Sequence, residues 1–184
     1  MSHRPVILLT GHPGVGKSTI IQAVVSRLSH RTGGFYTREV RVASQRTGFE
    51  IVTLAGETDL LATSSPEITF SAEASFGKYR VNLAAINKLA VPAVRQAMAQ
   101  GQIVVIDEIG PMELLSERFC KAVQELLDAP IVVLGAIVER PHPFADQVKR
   151  HPRVQLRQVM PVNRNQLPGQ LEVELRQWLG RLEG

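Results

Sequence analysis

The chain has 184 residues, 44% of them hydrophobic and 21% charged, which is typical of one folded α/β domain and excludes a disordered chain. Its net charge of +4 suits a polyanionic ligand. The lysines and arginines form no block and aromatic residues make up only 5%, so we expect no nucleic-acid partner. The single cysteine, Cys120, predicts a buried thiol in a reducing compartment.

These features predict a single domain over residues 1–184, monomeric and located in the cytoplasm. No stretch of sequence approaches the length of a membrane span, so we expect no membrane partner. The first residues run directly into an apolar stretch, which leaves no room for a signal peptide.

The first predicted elements are a strand at Val6–Leu9 and a helix at Thr19–Leu28, joined by a glycine-rich loop. The loop fits the phosphate-binding pattern of a glycine, four residues, then glycine, lysine and serine or threonine. Glycines let consecutive backbone N–H groups curl around a triphosphate. Lys17 is a catalytic candidate that can reach the β and γ phosphates, and Ser18 can offer its hydroxyl to Mg²⁺. The predicted nucleotide-binding residues here are Gly11, His12, Pro13, Gly14, Val15, Gly16, Lys17, Ser18 and Thr19.

Residues 33–64 contain strand patterns without intervening helices, so we predict an antiparallel β extension after the first helix. The following stretch shows no periodic pattern and is expected to be a long loop. The expected elements are strands at Phe35–Thr37 and Val40–Val42 around a short connection, strands at Phe49–Leu54 and Leu60–Ala62, a loop over 64–78 and a short strand at Tyr79–Val81.

The remainder of the chain alternates between helices and strands, which predicts a mostly parallel sheet with helices on both faces. A helix over Ala84–Gln100 contains Pro92, at which it either kinks or is replaced by a second helix. The further elements are expected at Gln102–Ile109 (strand), Ser116–Asp128 (helix), Ile131–Val138 (strand), Phe144–Arg150 (helix), Val154–Met160 (strand) and Leu167–Leu182 (helix).

Two adjacent acids, Asp107 and Glu108, follow the apolar run Ile103–Ile106. Carboxylates at the end of a buried strand are costly unless they serve a purpose. We expect this strand to lie beside the strand that leads into the glycine loop, with Asp107 organising Mg²⁺ and Glu108 taking a proton from an attacking water. The alternative is an exposed strand end at which both acids are simply solvated.

Several other polar residues are candidates for the site. Asn163 and Arg164 follow the last predicted strand, at the edge where open α/β sheets bind ligands, and are expected to contact the nucleotide. Glu113 is either a second acid near the γ-phosphate or a charge near a helix N-terminus. Arg38, Arg80 and Arg164 are candidates to offset charge on the phosphoryl group.

The chain resembles the small P-loop nucleoside-triphosphatases that are sometimes called cancer-related NTPases. The resemblance covers nearly the whole chain, and its most specific part is the run VIDEIGPMEL at 105–114. It also rests on GHPGVGKST at 11–19, GFYTREVR at 34–41, KYRV at 78–81 and NRN at 163–165. The resemblance implies a RecA-like P-loop fold and slow, Mg²⁺-dependent hydrolysis of ATP, GTP and other triphosphates.

The same resemblance implies roles for individual residues. It assigns phosphate binding to the loop and assigns metal and water handling to the two acids; the residues are Gly14, Gly16, Lys17, Ser18, Thr19, Asp107 and Glu108. The chain departs from the family at Asn87, where a helix glutamate is expected. Arg140 falls at a position that varies within the family.

The leading prediction is hydrolysis of nucleoside triphosphates. We expect broad base specificity, because no guanine-specific asparagine-lysine-x-aspartate motif occurs. One alternative is a P-loop kinase of a nucleotide or another small acceptor. Such an enzyme needs a second pocket and an arginine-bearing lid, for which residues 64–80 are the candidate. The other alternative is a nucleotide-driven binding switch. Glu108 directly beside Asp107 favours activation of water and therefore hydrolysis.

Overall fold

The fold is built on one mixed β-sheet. The computed structural model describes residues 4–28 and 31–180. The strands within them are β1 Val6–Thr10, β2 Thr32–Val42, β3 Gln45–Thr53, β4 Thr58–Thr63, β5 Glu73–Phe76, β6 Tyr79–Asn82, β7 Ile103–Ile109, β8 Val133–Ile137 and β9 Val154–Gln158. These described strands are ordered β5-β6-β4-β3-β2-β7-β8-β1-β9 across the sheet.

Helices cover both faces of the sheet. They are α1 Lys17–Leu28, α2 Leu83–Ala85, α3 Val91–Ala99, α4 Glu117–Asp128, α5 Pro143–Lys149 and α6 Leu167–Gly180. The residues of α1 and α6 share one buried cluster with Ile7 and Leu9. The residues of α3, α4 and α5 share the other with Leu8 and Val104. Successive strand side chains point to opposite faces, so the strands must be apolar throughout to serve two layers.

The half of the sheet that positions the site is parallel. Its order is β2-β7-β8-β1-β9, with parallel pairing at every step. The predicted mostly parallel sheet with helices on both faces is therefore confirmed. The carboxyl ends of β1, β7 and β9 lie at one edge of the sheet, where ligands bind in open α/β folds.

One expectation about this half is wrong: the acid-bearing strand β7 is not the neighbour of β1. Strand β8 lies between them and pairs in parallel with both. Sequence patterns identify buried strands but carry little information on which buried strand pairs with which, because all of them are apolar on both faces.

The antiparallel extension after the first helix is also confirmed, with two corrections. First, β2 is one strand without a connection inside it, because Arg38 and Glu39 pair with Glu50 and Phe49 in unbroken register and the register shifts only between Val40 and Arg41. Second, the predicted loop over 64–78 contains β5, which pairs antiparallel with β6. Strand β5 is largely exposed, so it lacks the apolar alternation that reveals a strand.

The helical stretch that contains Pro92 is continuous but not uniform. A turn of π-helix, Ile86–Ala90, joins α2 to α3. Pro92 lies in the first turn of α3, where the missing N–H is tolerated, so a new α-helical segment begins beside Pro92, as in one of the two expected arrangements.

One detail of the other helices differs from expectation. Cys120 is half-buried at the margin of the core and is not fully enclosed. The predicted end of the last helix, at residues 181–182, lies outside the described residues. Over the described ranges we find no helix with the length and apolar character needed to cross a membrane.

Candidate functional site

The glycine loop connects β1 to α1, and its middle is open to solvent. His12, Pro13 and Gly14 are exposed, whereas Gly11 is buried at the end of the strand. Gly14 has a φ of +81° and Gly16 a φ of +113°, conformations that residues with side chains rarely adopt. The backbone path therefore requires glycine at these positions. The free N–H groups at the start of α1 face the same edge of the sheet.

Lys17 is the first residue of α1 and folds back over the loop. Its Nζ donates a hydrogen bond to the carbonyl oxygen of Gly11 at 2.9 Å. The ammonium group is thereby held above the loop that would receive the phosphates. A phosphate oxygen is a stronger partner for an ammonium group than a neutral carbonyl, so this hydrogen bond is readily exchanged for one to a ligand.

Asp107 lies at the end of β7 and is 2% exposed. The Ser18 side chain opposes the rise in the pKa of Asp107 that burial causes, so the end of the acid strand and the first turn of α1 are within reach of each other although β8 lies between β7 and β1. The second carboxylate oxygen, Oδ2, is buried and has no hydrogen-bond partner among the described residues. Burial raises the pKa of Asp107 to about 6, against the effects of Ser18 and of the Lys17 charge.

Glu108 follows Asp107 and is partly buried. Burial raises the pKa of its carboxyl above the ordinary value, while the positive charge of Lys17 opposes that shift. The alternative of two simply solvated acids is therefore wrong for Asp107, which is buried, whereas Glu108 keeps partial exposure. The charge of Lys17 acts on both carboxyls, and Ser18 acts on Asp107.

Glu113 is a third acid in this cluster and is 3% exposed. It begins a single turn of 3-10 helix at Glu113–Leu115. Burial raises the pKa of Glu113 to about 8, the neighbouring Glu108 adds to the shift, and hydrogen bonds from the backbone of Glu113 and Gly110 oppose it. Of the two interpretations of Glu113, a charge simply exposed at a helix start does not fit a side chain so deeply buried.

Gly110 separates the two glutamates and is the residue that sequence reasoning missed. A Cβ atom at Gly110 would lie 2.5 Å from Oε1 of Glu108 and 2.8 Å from Oε2 of Glu113. The two carboxyls therefore converge on one small volume that only glycine leaves free. The signal in the sequence was a glycine between two acids, directly after a buried strand.

Arg164 lies beside the glycine loop, and Asn163 supports the turn after β9 from which Arg164 extends. The amide of Asn163 accepts a hydrogen bond from the Met160 N–H and donates one to the carbonyl of Gln158, each at 2.9 Å. If Gly16 carried a Cβ atom, that atom would lie 3.9 Å from Cδ of Arg164. The guanidinium of Arg164 makes no hydrogen bond or ion pair with residues 4–28 or 31–180.

The other two candidate arginines are already engaged. Arg38 pairs with Glu50, with N–O distances of 2.6 and 3.0 Å, and Arg80 donates to the carbonyl oxygen of Ser65. At the position where the family glutamate is absent, Asn87 accepts a hydrogen bond from the Ser116 hydroxyl at 2.6 Å. Ser116 also caps α4 by accepting from the Phe119 N–H at 3.1 Å. Asn87 therefore supports the start of α4, close in sequence to Glu113.

The fold and the site together define a class of protein. A glycine loop between a buried strand and a helix, with a serine in the first helical turn close to a buried aspartate at the edge of a parallel sheet, defines a P-loop nucleotide-binding protein. The order β9-β1-β8-β7-β2, with one strand between the loop strand and the acid strand, is that of the RecA-like arrangement implied by the resemblance.

Comparisons with known proteins specify the family. A family described as NTPase matches residues 6–171. The chain is 38% identical over 161 residues to nucleoside-triphosphatase THEP1 of Thermotoga maritima, covering 88% of this chain and 90% of that protein. It is 38% identical over 173 residues to the cancer-related nucleoside-triphosphatase homolog of Mus musculus, covering 88% and 91% of the two chains.

Solved structures agree with these relatives. The crystal structure of THEP1 from Aquifex aeolicus matches with a TM-score of 0.79 at 34% identity and covers 91% of this chain and 96% of that one. The solution structure of a human cancer-related nucleoside triphosphatase matches with the same TM-score and identity, over 95% and 98% of the two chains. The chain belongs to this nucleoside-triphosphatase family and is an enzyme that hydrolyses nucleoside triphosphates.

Proposed function

We propose that the protein hydrolyses nucleoside triphosphates to diphosphate and phosphate in a Mg²⁺-dependent reaction with little selectivity for the base. The observation that supports metal dependence most directly is Asp107. Its Oδ2 is a buried carboxylate oxygen without a partner among the described residues, beside the hydroxyl of Ser18. Hard oxygen ligands of this kind suit Mg²⁺.

The residues around Asp107 fit a metal that is shared with the substrate. Within residues 4–28 and 31–180, no group of three or more histidine, cysteine, aspartate or glutamate side chains is arranged to hold a metal ion. Mg²⁺ in phosphoryl-transfer sites keeps waters and binds through one or two protein groups plus phosphates. Ser18 and Asp107 would hold it here, and the ion would neutralise charge on the β and γ phosphates.

The glycine loop and Lys17 bind the triphosphate in this proposal. The loop from Gly11 to Thr19 offers backbone N–H groups at the start of α1, and Lys17 exchanges its hydrogen bond with Gly11 for one to a phosphate. Arg164 is exposed and its Cδ lies beside Gly16, so in this proposal its guanidinium adds a second positive charge near the phosphates. Phosphoryl transfer depends mainly on positioning and on electrostatic stabilisation of this kind.

Glu108 is the general base in this proposal. Its raised pKa, caused by burial, makes it a better proton acceptor than an ordinary glutamate, because a base works best when its pKa approaches the operating pH. It takes the proton from a water that attacks the γ-phosphorus in line with the departing diphosphate oxygen. Glu113, buried behind it, is the other acid within reach of the same region.

The test is release of inorganic phosphate from ATP, GTP, CTP and UTP, with the second product identified. Rates are measured over a Mg²⁺ titration and with chelator, for the wild-type protein and for Lys17→Ala, with Lys88→Ala as an exposed-lysine control. We expect diphosphate and phosphate from all four nucleotides, loss of activity with chelator, and loss of turnover by about a hundredfold or more in Lys17→Ala only.

Other outcomes separate the alternatives. A phosphorylated acceptor in place of free phosphate, when nucleosides or small alcohols are added, would make the protein a kinase. Tight product binding with one turnover per molecule would make it a switch. Full activity of Lys17→Ala would remove the glycine loop from the reaction, and a preference for one base above about a thousandfold would contradict loose selectivity, since it requires dedicated hydrogen bonds.

A further inference from the structure

The segment after β9, residues 159–166, runs along the glycine loop from its first residue. Strand β9 pairs with β1 in parallel, with Gln158 opposite Thr10. The Val159 N–H continues this pairing by donating to the Thr10 carbonyl at 2.8 Å. A Cβ at Gly11 would lie 2.7 Å from the Val159 carbonyl oxygen. The segment and the loop are therefore in backbone contact where the loop begins.

The segment turns back on itself and stays beside the loop. The N–H groups of Asn163 and Arg164 both donate to the Met160 carbonyl at 3.1 Å. This turn places the stem of Arg164 next to Gly16. The segment thus touches the glycine loop at both ends, at Gly11 and at Gly16.

Two large apolar side chains of this turn face solvent. Val162 is 81% exposed and Met160 is 45% exposed. Val162 is more exposed than two other solvent-facing valines. Val42, at the tip of the β2–β3 hairpin, is 62% exposed, and Val173, on α6, is 58% exposed. Neither side chain contributes to the two buried clusters of the fold, so packing within the described residues does not account for them.

Asn163 fixes the turn and is not free to read a base. Its Oδ1 accepts from Met160 and its Nδ2 donates to Gln158, so the amide is used to close the turn. A side chain that reads a base must offer hydrogen-bonding groups to the base edge. In place of hydrogen-bonding groups, the turn presents the apolar side chains of Met160 and Val162. Asn163 fixes the backbone that carries them.

Resting on the nucleotide hydrolysis proposed above, we propose that Met160 and Val162 form the base subsite, an apolar platform that contacts the face of the nucleobase of the triphosphate held by the glycine loop. Every base has an apolar π-face, whereas only the edges differ in donors and acceptors. A platform of this kind gives affinity to purines and pyrimidines alike. It supplies a physical reason for loose base selectivity, which the lack of a guanine motif does not.

The test compares the double variant Met160→Ser/Val162→Ser with the wild-type protein, using four nucleotides and one ligand without a base. KM is measured for ATP, GTP, CTP and UTP, and the inhibition constant is measured for inorganic tripolyphosphate. We expect KM to rise about 3–10-fold for all four nucleotides, as for loss of a few apolar contacts, with kcat and the tripolyphosphate inhibition constant unchanged. Val42→Ser, an exposed valine far along the chain, is the matched control and should change nothing.

A second variant tests the same platform in the opposite direction. Val162→Trp provides a stacking surface and is expected to lower KM for all four nucleotides, more for purines than for pyrimidines. The proposal is overturned if the serine variant leaves every KM unchanged, if its tripolyphosphate inhibition constant rises as much as the KM values, or if only one base is affected. Failure of the hydrolysis proposal is recognised separately, by wild-type protein that releases no phosphate.

Discussion

The two halves of the site have opposite relations to solvent. The glycine loop is open to water and consists largely of backbone, with Gly14 and Gly16 in conformations that side chains disfavour. In the acid cluster Asp107 and Glu113 are buried and Glu108 is partly buried, and burial raises the pKa of all three carboxyls. The glycine loop is ready to accept an anion. The acid cluster instead keeps carboxyl groups away from water, which costs folding free energy.

This difference separates binding from chemistry in the same site. Exposed N–H groups attract phosphate at little cost, because they are solvated until the ligand arrives, and Lys17 only exchanges its hydrogen bond with the Gly11 carbonyl for one to a phosphate. Buried carboxylates destabilise the ligand-free protein, and such cost is commonly found where function demands perturbed groups. Changes in the backbone of the loop should therefore affect affinity, changes at Lys17 should affect affinity and turnover together, and changes in the acid cluster should affect turnover and stability.

The largest expected effect comes from Glu108→Gln. Glutamine keeps the size and hydrogen bonding of glutamate but cannot accept the proton of an attacking water, so kcat should fall by about 10²–10⁴-fold. Affinity for Mg²⁺·ATP should stay close to the wild-type value. Single-turnover phosphate release and equilibrium binding measure the two quantities, with the exposed Glu117→Gln as control.

Two results would contradict this division of labour. Normal turnover in Glu108→Gln places the base elsewhere, and Glu113→Gln is then the next variant. Loss of nucleotide binding would mean that Glu108 supports the loop or the metal, and binding and chemistry would not be separable in the way that the two environments indicate.

Asp107→Asn should lower activity and raise stability at once. Removal of the charge disturbs neutralisation at the phosphates, so Mg²⁺-stimulated turnover should fall by about a hundredfold. The same change removes a buried charge whose pKa of about 6 leaves it ionised at pH 8. The ligand-free protein should then gain about 1 kcal/mol, or roughly 2–4 °C in Tm. A lower Tm in Asp107→Asn would show that its interaction with Ser18 outweighs the burial cost.

The raised pKa of Glu113 should make the free energy of unfolding depend on pH. Its pKa is about 8 in the folded protein, against an ordinary value of 4.5 when unfolded, so folding takes up a proton between these values. The free energy of unfolding should therefore fall as pH rises from about 5 to 8, by at most about 1.4 kcal/mol per pH unit. Denaturant titrations without nucleotide or metal should show a shallower fall in Glu113→Gln, whereas Glu117→Gln keeps the wild-type slope. Equal slopes in all three proteins would mean that Glu113 is solvated.

Much of this site could be predicted from the sequence because its chemistry is local. The glycine loop is one continuous stretch, and β7 is recognisable as an apolar run that ends in two acids. Strand, loop and helix follow from periodicity within a few residues of each other. The same local rules predicted the parallel half of the sheet and the antiparallel extension.

The rest depends on contacts between distant or irregular segments. The position of β8 between β7 and β1 is a matter of pairing among equally apolar strands. The exposed strand β5 carries no alternation, and the π-turn before α3 has no sequence signature that periodicity detects. The burial of Glu113 requires the chain to turn back under Glu108 within a few residues, which charge and position alone do not indicate.

Gly110→Ala tests that turn and is expected to have the smallest effect. The backbone of Gly110 is not in the left-handed region, so alanine adds contacts without backbone strain. Its Cβ would lie 2.5 Å from Oε1 of Glu108 and 2.8 Å from Oε2 of Glu113, and the Glu108 carboxyl must move aside. Displacing a catalytic group by about 1 Å can cost up to about a hundredfold, and because a glutamate side chain yields partly, we expect kcat to fall about tenfold.

The control for this variant is Gly169→Ala in α6, where no heavy atom lies within 4 Å of the added Cβ. Both variants should bind Mg²⁺·ATP with wild-type affinity, because neither touches the glycine loop. Unchanged kcat in Gly110→Ala would mean that the position of Glu108 does not limit the rate. Weaker binding in Gly110→Ala, but not in Gly169→Ala, would mean that the acid cluster shapes the glycine loop. The two halves of the site would then be coupled through Lys17 and Ser18, the residues on α1 that face the acids.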